Sequence, residues 1–430
     1  MISSWVSERL SRRDVHYGWI MVAVTFFALL VSAGSVGAPG VFILPLEKEF
    51  GWTTTQVSSA LSIRLVLYGL MAPFAAALME RFGLRNIAVA ALTIIAAGLL
   101  LSLRMTQAWH LILCWGFIVG FGTGLTAMVF GATVATRWFS ERRGLVVGIF
   151  AASMATGQLI FLPLLAYVTD AVGWRTAIAI MCVLLLVAAL AVILLMRDRP
   201  SDLGLRPFGQ ADSTPPAPAP SAPVIANVFG VLRDASRTWV FWVLFGSFFI
   251  CGTSTNGLIQ THFIPMCADF GLPATTSAGL LAAMGVLDFF GTIASGWLSD
   301  RYDNRWLLLW YYGLRGLSLV FLPFTDFSLY GLSLFAVFYG LDWIATVPPT
   351  VKLTAKNFGP ERAGIVFGWV FVGHQLGAAF AAFAAGLTRT TFATYLPAFF
   401  AAGVLCLIAA AVMLTIRNNP RAPVPAPATA

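Results

Sequence analysis

The chain has 430 residues, 59% of them hydrophobic and only 10% charged, with a mean hydropathy of +0.85. Soluble domains carry about 25% charged residues, so the composition excludes a soluble enzyme and points to lipid. The formal charge is +8, yet no basic stretch interleaves with aromatics, which argues against nucleic-acid binding and leaves membrane topology to explain the excess.

A bilayer core about 30 Å thick takes roughly 20 apolar helical residues. Twelve stretches are long enough: 17–44, 54–78, 86–104, 109–135, 144–168 and 175–196, then 238–265, 275–298, 306–324, 328–351, 363–387 and 394–416. Backbone groups in lipid must be satisfied within each segment, which makes this an all-α, multi-pass membrane protein of twelve spans. The first stretch is too long for the apolar region of a cleavable signal, and eleven more follow it.

Of the 26 basic residues, twenty fall in the termini and alternate loops, and four (Lys48, Arg104, Arg175, Arg389) fall in the opposite loops. The positive-inside rule then places both termini in the cytoplasm of a cell (inner or plasma) membrane protein. The remaining two, Arg64 and Arg315, lie inside the membrane.

A shift of 220 residues superposes the two halves. Trp19 falls on Trp239, Pro45 on Pro265, Phe50-Gly51 on Phe270-Gly271, Glu141-Arg142 on Glu361-Arg362, Gly148 on Gly368 and Gly157 on Gly377. The organisation expected is a cytoplasmic N-terminus (1–16), a six-span half (17–196), a cytoplasmic linker (197–237), a second six-span half (238–416) and a cytoplasmic tail (417–430). The linker core Pro215-Pro216-Ala217-Pro218-Ala219-Pro220 reads as a polyproline-like tether, and neither linker nor tail is assigned a fold.

Two six-span halves joined by a cytoplasmic loop resemble the major facilitator superfamily. Its loop 2-3 signature is matched by Glu80-Arg81-Phe82-Gly83-Leu84-Arg85, with Ala76 in place of a glycine and Glu80 in place of an aspartate. The second copy, Gly296 through Arg305, keeps Asp300-Arg301 but has Asp303 where a glycine belongs. In the superfamily this motif governs the conformational cycle. The resemblance therefore implies a gating set of Glu80, Arg81, Arg85, Asp300, Arg301, Glu141, Arg142, Glu361 and Arg362, whose carboxylates and arginines form ion pairs near helix ends.

Within the superfamily, Arg137-Trp138-Phe139-Ser140-Glu141-Arg142-Arg143-Gly144, Tyr17-Gly18-Trp19 and Gly285-Val286-Leu287-Asp288 resemble the monocarboxylate transporter and oxalate-formate antiporter branch. Two anion-binding positions of that branch are empty here: Thr292 stands four residues after Asp288 where an arginine is usual, and span 1 has no lysine. Either the cation has moved, with Arg64 the candidate, or the substrate differs.

Charges at membrane depth are costly by about 2.5 to 3.5 kcal/mol, so each is a functional candidate. Counting about 1.5 Å per residue puts Arg64, Asp288 and His374 roughly 15 to 18 Å deep, near the midplane where transporter sites gather. Arg64, with Tyr68 one turn on, is the expected partner of a substrate carboxylate. Gln158, Asn256, Gln260 and His374 are further substrate contacts; Asn256 and Gln260 share a helix face, whereas Gln375 should not face its neighbour His374. Asp288, His374 and Asp342 are the proton-coupling candidates. Arg315 reads as a structural partner to a carboxylate such as Asp342. Gly34, Gly37, Pro39 and Gly40 loosen span 1, and Pro348-Pro349 break span 10.

The expected function is secondary active transport of a small organic anion, monocarboxylate-like, with protons, by alternating access; the alternative is efflux of hydrophobic or aromatic compounds. Neither HExxH, nor a metal spacing among the four histidines, nor GxxxxGK[ST] occurs, so no enzyme, metal or cofactor is expected. The cysteines, lacking CxxC spacing, read as core residues rather than disulfides. The partners expected are the substrate, protons and the bilayer, and the resemblance implies a monomer.

Overall fold

The structure, a computed structural model, describes residues 2–13, 15–210 and 224–416; the side chains of a few helical residues, Glu361 among them, lie outside it. The proline-rich core of the linker and the tail beyond 416 also lie outside the described residues. Spans 1 to 6 are Gly18–Gly37 resuming as Pro39–Phe50, Thr54–Phe82, Leu84–Ser102, Ala108–Trp138, Arg143–Val172 and Trp174–Leu195. Spans 7 to 12 are Trp239–Asp269, Ala274–Arg301, Asn304–Phe324, Leu329–Phe358, Pro360–Phe392 and Leu396–Met413. Eleven are long and apolar enough to cross a membrane, and span 2, 29 residues long and carrying Arg64, completes the twelve.

Local chemistry sets the ends. Gly51, at φ +67°, stops span 1, and the Thr53 hydroxyl with Gln56 forms a reciprocal cap that starts span 2. Thr238, Asp303 and Ser328 cap spans 7, 9 and 10 in one direction only, each side chain accepting from a backbone amide. Leu100, Leu186, Phe290, Trp310 and Phe338 stand exposed around the bundle, an apolar belt that only a bilayer would cover.

The internal repeat is visible in contacts. Gly157 of span 5 presses on the Leu30 carbonyl of span 1, and Gly377 of span 11 presses on the Phe249 carbonyl of span 7, so a side chain at either would part the helices. Thr126 and Thr346, 220 apart, each sit at a break in their span, and each meets the neighbouring helix: Thr126 Oγ1 lies 2.6 Å from Ser32 Oγ, Thr346 Oγ1 3.5 Å from Cys251 Sγ. Spans 4 and 7 also carry wide π-helical turns, at Ile112–Val119 and Thr253–Ile259.

The linker holds more order than its composition implies. Pro200–Leu203 forms a 3₁₀ turn, and Val224–Ala235 is a helix packed beneath spans 2 and 11, with Phe229 against Phe74 and Trp369. No fold was expected there because the prolines dominate the composition, while the apolar face of 224–235 is short and lies just beyond them.

At the face opposite the termini, the far face, the halves are in close contact. Span 1 at Gly40 meets the Gln260 and Thr261 carbonyls, Thr55 Oγ1 bonds Thr390 Oγ1 at 2.8 Å, and Ser62 Oγ bonds the Ala379 carbonyl at 2.7 Å. Toward the terminal face, Gly148 and Gly368 border open space. Beyond the apolar run of span 1, the Glu47 carboxylate faces the Arg389–Asp269 ion pair (2.9 Å), with Thr54 and Tyr395 beside it, and its Oε1 is buried without a partner.

Burial raises the Glu47 pKa, outweighing Thr54 and Arg389, and Asp269 adds to the rise. The native state therefore holds this proton more tightly than the unfolded chain does, and the protein loses stability as pH climbs from the ordinary value of 4.5 through the raised one. Glu47→Gln should flatten that slope and raise the melting temperature at neutral pH. An unchanged slope in thermal unfolding against pH would show that Glu47 does not bear on it.

Candidate functional site

Span 1 breaks where its sequence demands. Pro39 has no N–H, so the Ser35 carbonyl loses its i+4 donor, and the Val36 carbonyl is freed with it. Arg64 of span 2 fills both vacancies: Nη1 donates to Ser35 O at 3.1 Å and to Val36 O at 3.0 Å. The guanidinium expected to meet a substrate carboxylate is thus bound to the broken backbone of span 1, and among the described residues no carboxylate pairs with it. Its Nε has no partner.

On the other side of that break, the buried Gly37 is packed where the halves meet. A Cβ built on Gly37 would lie 3.3 Å from Gln158 Cγ of span 5 and 3.7 Å from Gln260 Nε2 of span 7. Gln260 Nε2 is a buried donor with no partner. Asn256, four residues before Gln260, lies on the π-helical turn half-buried, its backbone carbonyl taken by Thr261 Oγ1 at 2.7 Å. Two amide side chains and an unpartnered donor where the halves meet are chemically suited to a small acceptor-rich solute.

His374 of span 11 is held among neutral groups. Its Nε2 lies 3.4 Å from Thr255 Oγ1, its Nδ1 3.3 Å from Gln375 Nε2, and its ring stacks on Phe371 at 5.7 Å. Gln375 therefore does reach its neighbour, against the expectation from helical spacing, because the long side chain folds back along the backbone where Gly69 of span 2 leaves room for its Cβ. Tyr68 crosses from span 2 to the same aromatic, 6.4 Å edge-on to Phe371. Tyr68 and His374 thus share Phe371, while Arg64 turns away to span 1.

The carboxylates of the second half surround the break in span 10. Asp342 is paired with Arg315 of span 9 at 2.9 Å, as its burial requires, and Arg315 also donates to the carbonyls of Asp342 and Trp343 and lies 3.0 Å from Cys251 Sγ. Pro349 leaves Ala345 O without a donor, and Ser295 Oγ of span 8 supplies one at 2.5 Å. Asp288, one turn before Thr292, accepts from Ile344 N at 2.7 Å and from Thr292 Oγ1 at 3.1 Å. It is buried with no cation bonded to it among the described residues.

The gating set behaves differently from the ion-pair lattice expected. Asp300 pairs with Lys352 of span 10, Arg301 and Arg81 lie over Trp297 and Phe82, and Arg85 gives its backbone amide to Asp198 at 2.8 Å. Glu80 stands exposed, and the side chain of Glu361 lies outside the described residues. Arg142, at φ +58°, lies 5.6 Å over Phe208 of the linker, Glu141 bonds Phe208 O through its amide, and Arg362 pairs with Asp234 of the linker helix at 3.7 Å. The duplicated Glu-Arg pair therefore receives the linker on both halves. No ion pair joins the halves at the terminal face among the described residues.

Residues 25–382 match the Major Facilitator Superfamily, and the chain belongs to it. It is 28% identical over 421 residues to monocarboxylate transporter 13 of Rattus norvegicus, covering 95% of this chain and 91% of that protein. It is 26% identical over 371 residues to monocarboxylate transporter 11 of Homo sapiens (84% and 72%), and 22% over 374 residues to the uncharacterized MFS-type transporter YcxA of Bacillus subtilis strain 168 (86% and 88%). The protein is a multi-pass membrane transporter, not an enzyme.

Proposed function

We propose that this superfamily member carries a small organic anion of the monocarboxylate class, together with a proton, by alternating access. The observation that supports it is the meeting of Gln158 and Gln260 at Gly37 from opposite halves, with the Gln260 Nε2 donor left without a partner. A carboxylate admitted there as the halves separate would accept from both amides. Arg64, held at Val36 beside Gly37, supplies positive potential through the backbone rather than by a direct pair. Relatives named for monocarboxylates across nearly the whole chain point the same way.

The proton is assigned to Asp288, which has no cation, rather than to Asp342, which Arg315 neutralises. The basic excess on the side of the termini and linker supports a cytoplasmic position for them. The breaks in spans 1, 4 and 10 are the points about which access would switch.

Uptake of labelled small carboxylates into proteoliposomes under a pH gradient tests this reading. Gly37→Ala puts a methyl group between the amides, and Gln260→Leu removes the free donor; each should raise KM about tenfold, the worth of one hydrogen bond to a charged group. Transport of amphipathic aromatic compounds with no carboxylate uptake would replace this reading by the efflux one.

A further inference from the structure

Glu47 lies on the seam between the two halves at the far face, apart from both the amides at Gly37 and the charges around the span 10 break. Of its chain neighbours, Lys48 is exposed, and Glu49 pairs with Arg175 of span 6 at 2.6 Å. Across the seam it faces Asp269 at the end of span 7, Arg389 near the end of span 11 and Tyr395 just before span 12, with Thr54 of span 2 beside it. Tyr395 in turn lies against His262 of span 7, whose Nε2 is 2.8 Å from the Ala382 carbonyl. Span 5 packs against the same stretch of span 1, and its titratable groups at this end, Tyr167 and Asp170, are exposed.

The cation facing Glu47 is already committed. Arg389 holds Asp269 through two parallel bonds, Nε to Oδ2 and Nη2 to Oδ1, both 2.9 Å, so the pair offers Glu47 no net charge. Two carboxylates and one guanidinium sum to one negative charge when all are ionised, and to none when one carboxylate holds a proton. Because Asp269 has the guanidinium, the proton falls to Glu47, whose Oε1 is buried without a partner. If the halves part here, Glu47 goes with the first half while Asp269, Arg389 and Tyr395 go with the second, and water then stabilises the ionised carboxylate. We propose that Glu47 is a proton site distinct from Asp288, loaded when the far face is shut and emptied when it opens, so that acid on that side holds the transporter closed there. The proton enters and leaves on one side of the membrane, so the site sets when the far face opens and carries no proton across. It rests on the alternating-access part of the proposed function and needs neither the substrate nor the role given to Asp288.

The test is the distance between spin labels attached at Val172→Cys and Tyr330→Cys in the purified full chain. Both positions are exposed at the far ends of spans 5 and 10, one on each half, and the native cysteines are buried. The short-distance population should grow as pH is lowered from about 8 to about 5, by at most about tenfold per pH unit, the limit for one proton. Glu47→Gln, neutral at every pH, should keep the short distance throughout. Asp269→Asn frees Arg389 to pair with Glu47, and the midpoint should move about one pH unit or more toward acid. Asp288→Asn should titrate like the wild type. Equal pH dependence in the wild type and Glu47→Gln, or its loss in Asp288→Asn alone, would overturn the proposal and leave alternating access standing. A single distance at every pH in every variant would remove alternating access and the proposal together.

Discussion

Arg315→Met should lower stability by about 3 to 5 kcal/mol, the largest effect expected of a single substitution outside the helix crossings. Arg315 is fully buried, pairs with Asp342 at 2.9 Å and also satisfies the carbonyls of Asp342 and Trp343 at the span 10 break. Removing it strands a carboxylate whose Oδ1 already has no partner, together with two carbonyls, in a buried region. The double variant Arg315→Met with Asp342→Leu should recover a large part of the loss, since the stranded charge goes, but not all, since the freed carbonyls stay. Melting temperatures of the wild type, both single variants and the double variant measure the coupling. If Arg315→Met costs no more than a surface substitution, or the second change brings no recovery, the pair does not hold span 10 together.

The twelve spans were legible because a spanning helix satisfies its own backbone and hydropathy marks its length; each expected stretch has its helix, with ends that differ by up to seven residues, most at the far end of span 1 and the inner end of span 10. The pair of Arg315 with Asp342 could be read from cost alone, for a buried arginine must be matched and the next span offers one carboxylate at depth. Arg64 could not be resolved this way. Depth gave it a candidate role, but its partners are backbone carbonyls whose freedom depends on where span 1 breaks and on which side of span 1 span 2 packs. Pro39 carried the signal, since a missing N–H at 39 leaves the carbonyl at 35 open, and a cation on the adjoining helix is a natural donor to it. The break at Thr126-Ala127 has no proline to announce it and shows only in the fold. The gating arginines were found by motif, but their partners depend on which face is open.

Asp288→Asn should abolish uphill, pH-driven uptake while leaving exchange of substrate across the membrane largely intact. The carboxylate of Asp288 bonds the Ile344 amide at 2.7 Å, and Ile344 lies in the break of span 10, so the charge on span 8 is tied to a hinge on another helix. Hydrogen bonds to an ionised acceptor are roughly twice as strong as neutral ones, so a proton arriving on Asp288 loosens the Ile344 contact and that with Thr292 together. Loading the proton and freeing the hinge are then one event. Asparagine keeps the shape and the Oδ1 acceptor but is neutral at every pH, which fixes the site in its proton-loaded strength. The halves can still rock around bound substrate, yet no proton is released on the other side. In proteoliposomes, the variant should exchange labelled for unlabelled substrate at a rate within a few-fold of wild type but show no accumulation under an acid-outside gradient. Thr292→Val, which removes one of the two bonds and keeps the charge, should leave accumulation in place. Accumulation by Asp288→Asn equal to that of the wild type would move the proton elsewhere, and His374, bonded only to neutral groups, would be the next residue to substitute.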